Sequence, residues 1–246
     1  MHPILHLFSI QISTYFLVIS FACIACTLWF LRRCEQRNLI RVTAIDLTLV
    51  CLIGGFIGAR LLHVFWEEPD FYRQNPLAVL QIWNGGFVFL GGVVGAWAAC
   101  TIFCVIHSEA FWFWADVAIP CISLGYAMGR IGCFLNGCCY GRFCELPWAV
   151  AIQGGLRHPT QLYAALWEVG VCLLLLRIEP KVRMAGTLFS IWLVLHALGR
   201  VMMEYFRDDP RGPMLYDTSI GTWMSLALGL LGVVSLLLRP GHRRLV

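Results

Sequence analysis

Seven stretches of this chain run long and apolar with few charges, at residues 11–31, 44–66, 85–106, 112–135, 161–177, 186–206 and 218–238. Each is about the 20 residues that a helix needs to cross bilayer hydrocarbon. The pattern predicts an all-α integral membrane protein with seven transmembrane helices. No polar stretch between the apolar blocks is long enough to bury a core of its own, so a single transmembrane domain over 1–246 is expected. Residues 1–11 lack a basic n-region and a small-residue cleavage signature, and the first stretch reads as a retained helix.

The interruptions of this pattern carry the chemistry. Gly129 to Arg142 places two arginines, an asparagine, three cysteines and four glycines where hydrocarbon is expected, and polar groups kept at membrane depth mark sites. Arg60, Arg130 and Arg200 fall inside spans, accompanied by His63, His196 and Glu204. One arginine near a helix end can simply snorkel to the interface. Three at one depth point to a shared anionic ligand, because guanidinium is a planar fork suited to phosphate. In the sixth span His196, Arg200, Glu204 and Arg207 form one helical stripe, which must face protein or a wet cavity; Arg200 with Glu204 also fits a structural i,i+4 pair. Gly54 with Gly58, Gly91 with Gly95, and Gly125 with Gly129 are small-xxx-small pairs that let helices approach closely. Gly85-Gly86 ahead of Gly91-Gly92 marks irregular backbone. The tract His158-Pro159-Thr160-Gln161-Leu162-Tyr163 opens a helix with polar side chains expected at the outer interface.

Composition agrees: 59% of the 246 residues are apolar, 13% are charged, and the mean hydropathy is +0.75. The net charge of +4 reflects topology and does not call for nucleic acid. Arg32, Arg33, Arg37 and Arg41 follow the first span, Arg177, Lys181 and Arg183 follow the fifth, and Arg239, Arg243 and Arg244 close the chain. Seven spans put these groups on one side, and the positive-inside rule makes it cytoplasmic. The N-terminus is then outside, the C-terminus cytoplasmic, and the three arginines lie near the outer face.

Most of the twelve cysteines sit singly in apolar runs as small core residues. Cys133, Cys138, Cys139 and Cys144 are clustered. Thiol chemistry beside Arg130 is one reading, and a structural disulfide is another. The C-x4-C-C-x4-C spacing lacks the paired C-x2-4-C zinc signature, so neither metal nor other cofactor is expected.

Several blocks together resemble the prolipoprotein diacylglyceryl transferases of the bacterial inner membrane: Tyr15, Gly58-Ala59-Arg60, Gly85-Gly86 to Gly91-Gly92, Gly129-Arg130-Ile131-Gly132 through Gly141-Arg142, His158 to Tyr163, and Gly199-Arg200 through Arg207. The resemblance implies a multi-pass inner-membrane enzyme that moves the diacylglyceryl group of phosphatidylglycerol, or a related anionic phospholipid, onto the lipobox cysteine of a preprolipoprotein signal peptide. It implies that Arg130 and Arg200 bind and stabilise the phosphate, and that Tyr15, Asn136, Gly141 and Glu204 occupy functional positions. Arg60, His63, His158, Gln161 and Tyr163 are the further substrate-binding candidates. The chain departs from the family pattern at Leu90, where the family has a histidine, at Cys133 for asparagine, at Cys138 for glutamate, at Ala164 for glutamate, and at His63 and His196 for tyrosines. His196 or His63 would then accept the proton, or Cys133, Cys138 and Cys139 would supply thiol chemistry. The alternative to transfer is a lipid-binding membrane protein that is non-catalytic or thiol-dependent.

Overall fold

The computed structural model describes residues 4–7, 10–209, 214–216 and 218–238, so the last basic group, Arg239 to Arg244, lies outside the described residues. A hairpin, β1 (Ile4–Leu7) and β2 (Ile10–Ser13), precedes α1 (Thr14–Glu35). There follow α2 (Arg41–Leu62), the short α3 (Pro69–Gln74), α4 (Phe89–Ile106) and α5 (Phe111–Asn136). A small hairpin of β3 (Val150–Ile152) and β4 (Gly155–Arg157) leads into α6 (Thr160–Ile178), α7 (Thr187–Phe206), the pair β5 (Met214–Leu215) and β6 (Thr218–Ser219), and α8 (Ile220–Leu238). All the helices but α3 are long and apolar enough to cross a membrane, seven in number among the described residues. The first span starts later than expected because Ile10-Gln11-Ile12-Ser13 alternates apolar with polar and pairs as a strand. The third starts at Phe89, since Gly85 and Gly86 hold φ values of +80° and +78° that no helix accommodates.

Tertiary contacts divide the chain into two compact units, Leu31–Phe111 and Met1–Phe30 with Trp112–Val246. In the first, α2 and α4 pack backbone to backbone. A Cβ at Gly58 would lie 2.3 Å from the Gly91 carbonyl oxygen, one at Gly91 would lie 2.3 Å from that of Gly58, and Gly95 meets Gly54 in the same way. Only glycine permits this approach, as the spacing predicts. Gly125 and Gly129 differ: a Cβ there would make near-ordinary contacts with the Cys26 and Ile19 side chains of α1, so that pair gives side-chain packing and not touching backbones.

In the second unit, Ile119 of α5, Val171 and Leu175 of α6 and Leu188 of α7 form a closed apolar cluster. Large apolar side chains elsewhere on these helices, such as Phe16, Phe21, Ile24 and Leu28 along α1, are exposed as a lipid-facing surface requires. Two buried carboxylates tie the bundle together. Asp116 of α5 accepts the backbone amides of Gly186 (2.8 Å) and Phe189 (2.9 Å), capping α7 from a neighbouring helix. Helix N-termini leave amide donors without intrahelical partners and attract negative charge. Asp116→Ala is therefore expected to destabilise the protein by about 2 kcal/mol, with Asp116→Asn losing less. Thermal unfolding of both variants in the same detergent checks this ordering. The second carboxylate is Glu168, described below.

Candidate functional site

The Gly129–Arg142 stretch ends α5 and turns back on itself. The chain leaves the helix at Asn136, and Gly137 and Cys139 take φ values of +75° and +60°. The loop is pinned from several sides. The Gln161 side chain donates to the Cys138 carbonyl, the Thr160 hydroxyl donates to the Cys139 carbonyl at 2.7 Å, and the Asp208 amide donates to that of Tyr140 at 3.2 Å. Beyond it the Gly141 amide donates to the His158 carbonyl (3.0 Å) and that of Arg142 to Phe206 (2.8 Å). A Cβ at Gly141 would fall 2.6 to 2.8 Å from His158 and the Phe206 carbonyl, which explains the glycine. Buried Arg157 braces the loop by donating to the Gly141 carbonyl (3.1 Å) and to Asp208 (3.0 Å), with its guanidinium over the Tyr140 and Phe143 rings.

Inside this loop the sulfurs of Cys133, Cys138 and Cys139 lie within 4.8 Å of one another. The C-x4-C-C spacing does not announce this, because it depends on the turn that folds 138–139 over the last helical turn. All three thiols are free. Hydrogen bonds from the Cys133 and Cys138 thiols hold Cys139 well below the usual thiol range, and the Arg207 and Arg130 charges act in the same direction. Cys138 moves the opposite way: its bond with Cys133 lowers it, but donation to Cys139 and burial outweigh that. The Asn136 side chain hydrogen-bonds Cys138, and Tyr15 of α1 lies within electrostatic range of all three thiols and of Arg130. Cys144 makes no part of this group; its amide bonds the Leu156 carbonyl.

The arginines divide by what their donors do. Arg60, in the other unit, spends all five N–H groups on the carbonyls of Ala78, Val79, Gln81, Gly85 and Gly86, and its guanidinium lies by the Tyr72 and Phe87 rings. It shapes the segment between α3 and α4 and offers no free fork to an anion, contrary to the substrate-binding expectation. A cavity of about 310 Å³ borders it, lined also by His63, Glu68 and Tyr72. His63 begins a π-helical turn and pairs with Glu67 at 2.6 Å. Arg207 is bidentate to Asp209 at 2.8 and 2.7 Å.

Arg130 and Arg200 are different. Arg130 donates to the Tyr126 hydroxyl and packs over that ring. Among the described residues this is its one side-chain hydrogen bond, and Arg200 has none there. Arg130, Arg207 and Glu204 all act electrostatically on Arg200. Like charges gathered with unspent donors make a place where an anion would be held.

The stripe on α7 faces inward as predicted: His196, Arg200 and Glu204 are half-buried and Arg207 is buried, while Leu198, Met202 and Tyr205 are exposed. Glu204 accepts the Ser219 amide at 3.2 Å, which anchors the start of α8. His196 is not a free base. Its Nδ1 lies 2.6 Å from Oε1 of Glu168, a carboxylate only 2% exposed that also accepts from Ser123 Oγ (2.8 Å) and Trp192 Nε1 (3.2 Å). His158 is likewise engaged, with Nδ1 3.2 Å from the Tyr163 hydroxyl, which receives Trp148 Nε1 at 2.7 Å. Thr160 and Gln161, expected at the interface, are 3% and 1% exposed and clamp the cysteine loop instead. Sequence reasoning missed Glu168, Tyr126 and Arg157. Glu168 was legible as a carboxylate in mid-span, and Tyr126 as the i−4 neighbour of Arg130.

A family model described as prolipoprotein diacylglyceryl transferase matches residues 3–238. The phosphatidylglycerol–prolipoprotein diacylglyceryl transferase of Clostridium tetani is 30% identical over 220 residues, covering 86% of this chain and 88% of that protein. The protein of the same name from Thermosynechococcus vestitus is 34% identical over 224 residues, covering 85% and 83%. That of Pasteurella multocida is 34% identical over 192 residues, covering 75% and 71%.

Proposed function

We propose, because this chain belongs to the prolipoprotein diacylglyceryl transferase family, that it transfers the diacylglyceryl group of phosphatidylglycerol to the lipobox cysteine of a preprolipoprotein. It does so as a multi-pass protein of the bacterial inner membrane, with its N-terminus outside. In this reading a thiolate attacks the glyceryl carbon, the C–O bond to phosphate breaks, and glycerol phosphate leaves with the electron pair. What the protein must supply is a fixed positive environment for that phosphate.

The observation that carries the reading is the donor inventory: Arg130 and Arg200 keep unspent donors among the described residues, at the residues on which the family resemblance falls. Tyr126 fixes Arg130, and Glu204 holds the α8 entry beside Arg200. Tyr15 and Asn136 border the thiols where the acceptor sulfur would arrive. The cysteine loop, with Gly141, Thr160 and Gln161, is the rigid wall of the site.

The test is reconstitution. Purified protein in phosphatidylglycerol vesicles is expected to add one diacylglyceryl group to a lipobox peptide, read by mass spectrometry, and to add none in phosphatidylcholine alone. An unmodified peptide, where a relative modifies it under the same conditions, would refute the proposal.

A further inference from the structure

Three sulfurs converge at this site from two pieces of backbone, Cys133 from the last turns of α5 and Cys138 and Cys139 from the turn after it. A disulfide would use two of them and leave the third without a role. Soft thiolates select d10 cations, zinc above all where geometry is tetrahedral. With a Zn–S bond of about 2.3 Å, tetrahedral sulfurs stand about 3.8 Å apart, so sulfurs within 4.8 Å are about 1 Å from closing on a cation. The backbone that carries two of them is already fixed, since Gln161 and Thr160 hold the carbonyls of Cys138 and Cys139. Three thiolates around a divalent cation carry net negative charge, and Arg130 and Arg207 act on the group from its surroundings.

The number of ligands is informative. Among the described residues the group has three members. Structural zinc sites are closed by four protein ligands, whereas sites that do chemistry keep the fourth position open.

We propose that Cys133, Cys138 and Cys139 bind a zinc ion whose fourth position takes the acceptor thiol. The identity of that thiol rests on the transfer reading above. On binding, the peptide thiol loses its proton to water, because a thiol that coordinates zinc is deprotonated. The zinc-bound sulfur attacks the glyceryl carbon with an electron pair, the C–O bond breaks, and the departing phosphate keeps the other pair beside Arg130 and Arg200. Nothing is oxidised. The product is a thioether, a neutral and weaker ligand, which leaves the metal.

The experiment uses the full chain purified from membranes, with metal measured by elemental mass spectrometry. About one equivalent of zinc is expected in the natural chain and in Cys144→Ser. At least about tenfold less is expected after chelator dialysis in Cys133→Ser, Cys138→Ser or Cys139→Ser, each first shown to elute and unfold like the natural chain. In protein exchanged with cobalt(II), a lipobox peptide carrying cysteine should shift the thiolate-to-cobalt charge-transfer band, and the serine peptide should leave it unmoved. Equal zinc in the variants, copper(I) in place of zinc, or a disulfide joining two of the three cysteines would each overturn the site. A band that ignores the cysteine peptide would overturn the open fourth position. Bound metal that senses the peptide thiol without yielding lipidated product would uphold the site and refute the transfer reading.

Discussion

Arg200→Lys is expected to slow diacylglyceryl transfer by about 100-fold or more, and Arg130→Lys to do the same, in phosphatidylglycerol vesicles under single-turnover conditions. Lysine keeps the charge, so the test is of geometry. A planar guanidinium grips two phosphate oxygens at once and holds them as negative charge grows, whereas an ammonium presents one point charge on a flexible stem. The proposal gives this task to these two arginines because they keep unspent donors beside one another's charge. Arg60, Arg157 and Arg207 already spend donors on carbonyls or carboxylates. Arg130 is fixed at one side by Tyr126 and Arg200 is unengaged among the described residues. Tyr126→Phe should then cost less than either arginine change, since it removes an orienting bond and leaves both forks in place. A rate for Arg200→Lys within about threefold of the natural chain would mean that charge alone suffices, and would remove the geometric argument.

The same contrast marks what a reader of the sequence could see. Seven spans, the close-packing glycine pairs of α2 and α4 and the inward stripe of α7 follow from hydropathy and spacing, which act locally along a helix; that α2 meets α4 does not. Arg60 shows where such reading stops. A buried arginine attracts the same inference whether it meets a lipid phosphate or five carbonyls, and the carbonyls come from residues 78 to 86, whose path no helical period encodes. The thiol group is a similar case. Residues five apart on a helix do not meet, and Cys133 meets Cys138 and Cys139 only because positive φ values at Gly137 and Cys139 fold the chain back and Gln161 holds it there. His196 was visible as a polar residue in a span, but its partner lies 28 positions away on α6.

That partner sets the largest stability effect expected in the molecule. Glu168→Ala removes a carboxylate that accepts from Trp192 Nε1, His196 Nδ1 and Ser123 Oγ at a point only 2% exposed, with Ser123 alone keeping a second acceptor, the Glu168 backbone carbonyl at 2.9 Å. The Trp192 and His196 donors are left without this acceptor in an environment that cannot supply water freely, and the lost side chain leaves a void. Breaking a buried pair of this kind costs about 3–5 kcal/mol. His196→Ala removes one of the three donors and leaves the other two bonded, so about 1–3 kcal/mol is expected. In a double-mutant cycle the two changes should be strongly non-additive, because they share one interaction. Thermal unfolding in matched detergent measures the cycle. If His196 serves this carboxylate and not the reaction, His196→Ala assayed where it remains folded should transfer within about threefold of the natural chain, far from the arginine effect. A fall of about 100-fold with unfolding unchanged would return His196 to the role of proton acceptor.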